Sequence, residues 1–151
     1  MFRTVELRIY RKIYFNCLAL LCLVIAASLF LGLSGWQYQK LPAQPNRIKD
    51  VLLYGMILLA ILYSIFRRRQ DEKLNTLTEF NEKLVFHRHY FKTRLLWYVL
   101  SGIVACILFV IIGQWLFLYF AIFDLAMLLI LYPTKSFFKK ELDDEEIIFI
   151  P

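Results

Sequence analysis

Residues 95–133 read "LLWYVLSGIVACILFVIIGQWLFLYFAIFDLAMLLILYP", and this stretch decides the class of fold. It holds two apolar runs, 95–113 and 115–132. Each is close to the roughly 20 residues a helix needs to cross about 30 Å of hydrocarbon. Backbone groups in lipid must be satisfied within their own segment, so both runs are expected to be helices. Only Gly113 and Gln114 lie between them, which predicts a tight turn and an antiparallel helical hairpin. Pro133 ends the second run.

Two more runs lie upstream. Ile13 to Leu33 carries no charge, and Ile48 to Phe66 carries Lys49 and Asp50 at its start, leaving "VLLYGMILLAILYSIF" free of charge. Snorkelling of Lys49 and the flanking aromatics covers that shortfall. The composition agrees: 60% of the 151 residues are hydrophobic and 17% aromatic, with a mean hydropathy of +0.59, more apolar surface than a soluble domain of this length hides in one core. The expected fold is an all-α integral membrane protein with spans 13–33, 48–66, 95–113 and 115–132, arranged as two antiparallel hairpins in a single membrane domain. "RKIYFNCLALLCLVIAASLFLGLSG" has some features of a signal peptide. Its apolar run of about 21 residues exceeds a signal core of about 7–15, so it reads as an anchor.

Basic residues tend to stay on the cytoplasmic side near span ends. The arm 1–12 has four, segment 67–94 has eight, and the tail 133–151 has three, against three between the first two spans and none at Gly113–Gln114. Fifteen against three predicts both termini and the long middle loop in the cytoplasm, in a cytoplasmic (inner) membrane. The net charge of +6 then belongs to the cytoplasmic face and calls for no nucleic-acid partner. Arg67, Arg68 and Arg69, in "FRRR", fall where anionic headgroups lie and are the predicted lipid contacts, at about 1 kcal/mol per basic residue.

The first connection, "SGWQYQKLPAQPNRIKD", is broken by Gly35, Pro42 and Pro45, with Trp36 and Tyr38 at interface depth. Within 67–94, Leu74, Leu77, Phe80 and Leu84 recur at near-helical spacing, and "TLTE" at 76–79 resembles a capping box. This predicts a short cytoplasmic amphipathic helix that lies on the membrane, packs under the bundle or meets a partner. The tail 133–151 passes from a basic aromatic stretch to the acidic Asp143 to Glu146 and ends on an apolar "IIFIP". The acidic patch reads as a pairing surface for the loop or a neighbouring subunit, or as a solvated tail. Matching "KIYF" (12–15) and "RHYF" (88–91), Trp36 and Trp115, and "ILY" at 61–63 and 130–132 raise a tandem duplication of a two-helix unit.

Asp124 is the ionisable residue inside an apolar run. Such a carboxylate costs a few kcal/mol and usually faces a bundle interior or an ion path. Ser101 and Cys106 are the nearest candidates in the third span but at some distance, so its partner is expected in another copy or another protein. Small residues four apart, Ser28 with Gly32 and Ser101 with Ala105, read as packing faces. Cys17, Cys22 and Cys106 lie inside spans, and His87 and His89 read as solvated loop residues rather than metal ligands. Enzyme signatures are absent from the sequence, as are span histidines for haem, so neither catalysis nor a cofactor is expected. The expected role is a non-catalytic accessory, assembly or anchoring subunit that meets a protein partner or its own copies in the membrane. The alternative is a small homo-oligomeric transporter or proton-linked carrier using Asp124.

Overall fold

The computed structural model describes residues 4–34, 46–142 and 148–150. The first connection, with Trp36, Tyr38, Pro42 and Pro45, and the acidic patch 143–146 lie outside the described residues. Five helices carry the chain: α1 (Leu7–Leu33), α2 (Asn46–Thr76), α3 (Phe80–Ile112), α4 (Trp115–Ile130) and α5 (Lys135–Leu142). Two three-residue strands, β1 (Thr4–Glu6) and β2 (Ile148–Ile150), pair in parallel, Thr4 opposite Ile148 and Glu6 opposite Ile150. The apolar end of the tail therefore closes on the N-terminal arm, a departure from a purely helical chain.

The helices α1, α2 and α3 are each long and apolar enough to cross a membrane; α4 reaches that criterion only together with α5, from which it bends by 85°. The turn between α3 and α4 uses Gly113 at φ 74°, where its N–H bonds the Phe109 carbonyl at 2.8 Å. A left-handed residue closing a helix is what glycine permits and a Cβ resists.

Packing departs from the pair of hairpins. The core is α1, α3 and α4, while α2 meets α3 chiefly. The reason lies in close approach: a Cβ on Gly102 of α3 would sit 2.6 Å from Leu21 Cδ1 of α1, and one on Gly32 of α1 would sit 2.9 Å from Phe109 of α3. Small residues let α1 and α3 come together where lipid supplies no hydrophobic drive between helices. A buried apolar cluster follows, with Leu21, Ala105, Cys106, Phe117 and Ala121 at its centre.

Segment 67–94 forms no separate helix. It is shared between the end of α2 and the start of α3, which break only at 77–79. The expected capping box does not form: Glu79 is the N-cap without a side-chain bond, and the Thr76 hydroxyl turns back to the Lys73 carbonyl at 2.8 Å. The apolar stripe is used all the same. Leu74 is buried, and Phe80 and Leu84 pack against a second, aromatic-rich cluster.

That second cluster sits at the end of the bundle where both strands and the basic segments lie. It joins Val5, Leu7 and Tyr10 to Phe91, Leu131, Phe138 and Leu142. Helix α5 crosses this end and inserts Phe138 edge-on against Tyr10, centroids 4.7 Å apart. Burying such a ring is worth about 1.5–3 kcal/mol where the alternative is water, with roughly 0.5–1.5 kcal/mol more for a favourable ring pair.

Candidate functional site

Two polar constellations stand out. The first lies at the basic end, where α5 docks. Seven residues separate His87 from Arg94, two turns of α3, so both project from one face. Pro133 stops α4, and the Thr134 hydroxyl accepts the Phe137 N–H at 3.0 Å, starting α5 so that Glu141 meets that face. His87 Nε2 lies 2.7 Å from Glu141 Oε2, and Arg94 Nη1 donates to Glu141 Oε1 at 2.5 Å. His87 is fully buried and Arg94 is 3% exposed. The solvated-loop reading of His87 is thereby corrected: the helix carries it inward beneath Phe91 and Phe138.

Charge and burial oppose each other in this cluster. Burial alone would raise the Glu141 carboxyl, but the His87 hydrogen bond and the Arg94 guanidinium outweigh it and hold it below the usual carboxylate range. Burial likewise works against the Arg94 charge, and Glu141 more than offsets it, raising the guanidinium further. Arg94 also lies over the Tyr90 ring at 5.3 Å. The Tyr90 hydroxyl in turn donates to Asp71 Oδ1 of α2 at 2.7 Å, and burial followed by this bond raises its pKa. Tyr10, beside His87, is pushed up to about 12 by burial against the opposing charge of Arg88. The chain of contacts thus ties α2, α3 and α5 together.

The second constellation surrounds Asp124. It is 7% exposed, and Ser101 of α3 lies beside it. The turn at Gly113 brings α4 back along α3, so that the two residues line the same groove. The groove is lateral, about 480 Å³, and lies between α2, α3 and α4. One stripe of each helix forms it: Met56, Ala60, Tyr63 and Arg67 from α2, Trp97, Ser101 and Val104 from α3, and Phe120, Asp124 and Met127 from α4.

The three predicted lipid contacts separate. Arg67 reaches the end of the groove and approaches Asp71 at 3.7 Å, whereas Arg68 pairs loosely with Glu72 at 3.5 Å on the surface. Arg69 is exposed. Such exposed pairs contribute little. Among the described residues there is no group of three or more metal-ligating side chains.

Sequence reasoning passed over Glu141 and Arg94. The available signals were the seven-residue spacing of His87 and Arg94 and a single acid in the basic "KSFFKKEL" of α5. In comparisons with known protein families, curated proteins and solved structures, the chain finds no match.

Proposed function

We propose that the chain is a non-catalytic accessory or anchoring subunit of a larger membrane complex, crossing the cytoplasmic (inner) membrane four times with both termini in the cytoplasm. The pairing of β1 with β2 favours an even number of crossings, since strands at the two ends of the chain bond to each other. The excess of basic residues at that end favours its cytoplasmic orientation. On this reading α4 makes the fourth crossing beside α3, and α5 turns off along the interface.

One observation carries the accessory role. Helices α2 and α3 continue past the predicted spans, with Leu74 buried and Lys73 over the Phe86 ring at 5.3 Å. At 1.5 Å per residue, 80–94 extends roughly 20 Å. Its outer side exposes Val85, 72% accessible, among charged residues. An exposed apolar residue on a helix fixed on its other side suits docking of a protein partner.

A photo-crosslinking amino acid at Val85 in native membranes tests this. One reproducible adduct, missing when the same amino acid replaces the lipid-facing Leu62, supports the subunit reading. Crosslinking to lipid alone, or none, counts against it. A second reading, a homo-oligomeric carrier, draws on the Asp124 carboxyl at the groove wall. It requires that the reconstituted protein support a flux and that Asp124→Asn abolish it with folding intact.

A further inference from the structure

The groove between α2, α3 and α4 is half as long as a membrane is thick. Its α2 wall runs from Met56 to Arg67, about 16 Å of helix against a hydrocarbon core of about 30 Å. With the threading proposed above, on which this inference rests, the groove begins at the cytoplasmic interface and ends near the midplane. It has the depth of one leaflet.

Its chemistry is graded along that depth. At the interface end stands Arg67, whose side chain is 42% exposed and whose Nε is 3.7 Å from Asp71, beyond hydrogen-bond distance. Asp71 already accepts the Tyr90 hydroxyl at 2.7 Å, so the guanidinium keeps donors for a further anion. One turn deeper is Tyr63, stacked on Trp97 at 4.5 Å. It is 7% exposed and its hydroxyl is buried, so what Tyr63 offers the groove is its ring. Beyond it the wall is apolar apart from Ser101 and Asp124.

We propose that this groove binds an anionic glycerophospholipid of the cytoplasmic leaflet, its phosphate on Arg67, its ester region level with Tyr63 and an acyl chain along Trp97, Val104 and Phe120. A phosphate matches the free donors of a guanidinium. Below the level of Tyr63 an acyl chain meets mostly apolar side chains, Ser101 and Asp124 being the polar exceptions.

Trp97 makes the site measurable. The full chain with Trp36→Phe and Trp115→Phe is reconstituted into vesicles of phosphatidylcholine containing either acyl-brominated phosphatidylglycerol or acyl-brominated phosphatidylcholine. A Trp97→Phe, Trp36→Phe chain keeps Trp115 as the reference for membrane insertion. At equal mole fraction, brominated phosphatidylglycerol is expected to occupy the groove about fivefold more readily, the effect of one basic residue at a lipid surface. Arg67→Gln should remove this preference, and Arg69→Gln, outside the groove, should leave it. Equal quenching by the two lipids, or a preference indifferent to Arg67, overturns the proposal. So does an unquenched Trp97 beside a quenched Trp115, the result expected if a protein segment fills the groove. If neither tryptophan is quenched, the membrane threading fails and the site fails with it.

Discussion

Arg94 and Glu141 illustrate how much a single charge governs at the end of this bundle. A buried guanidinium stays charged whatever faces it, and removing one partner of such a pair costs about 3–5 kcal/mol by leaving the other uncompensated. Glu141→Gln preserves the shape of α5 but strands Arg94, which is 3% exposed. The melting temperature in detergent should fall by several degrees and the C-terminal tail should become protease-sensitive, while exposed Lys139→Gln changes neither. Unaltered melting and protection in Glu141→Gln would remove the pair from the account. The pH dependence has a definite sign. The folded carboxyl lies below its ordinary value of 4.5, so its contribution is complete above that value and is lost as pH falls through the lower folded one. Tail release should therefore begin only in acid below about pH 4.5, and Glu141→Gln should abolish that step. None of this was readable along the chain, because 47 residues separate Arg94 from Glu141 and 54 separate His87 from it.

Helices in this molecule are held by two different forces. Between α1 and α3 the contact is close packing of small residues, since an apolar side chain gains nothing by leaving lipid for protein. At α5 the aromatic rings leave water, so burial itself drives docking. Gly102 tests the first force. A side chain there meets Leu21, which is fully buried, so Gly102→Leu should cost about 1–3 kcal/mol by overpacking. Gly55 of α2 has nothing within 4 Å, and Gly55→Leu should be tolerated. Engineered disulfide crosslinking between α1 and α3 reads the difference: it should weaken in the first variant and persist in the second. Were both variants to crosslink like the parent, Gly102 would not be what sets the α1–α3 approach. The small residues of α1 were visible in the sequence as a packing face. Their partner was not, because every face of an apolar helix looks alike to a hydropathy count.

At the scale of the whole molecule, the two ends of the chain meet in one small sheet, and threading follows as a prediction. In a chain with Cys17, Cys22 and Cys106 replaced by Ala, cysteines at Glu72 and Lys140 should be closed to an impermeant reagent in intact cells, and one at Gln44 should be open. Labelling at 72 from outside would invert or break the proposed topology. Local signals sufficed for the long apolar helices, the turn at Gly113, the stop at Pro133 and the charge imbalance between the two ends, since each depends on residues a few positions apart. They did not suffice for the looser seating of α2, the burial of His87, the docking of α5 or the groove at Arg67. They also misplaced segment 67–94, whose helical stripe was legible but whose continuity with α2 and α3 was not. The physical reason is the solvent. In water an apolar stripe marks the face that must be buried, whereas in lipid, as apolar as leucine itself, the same residues face inward or outward without cost. Only the three-dimensional fit of Gly102 against Leu21, or of Glu141 between His87 and Arg94, decides which face is which.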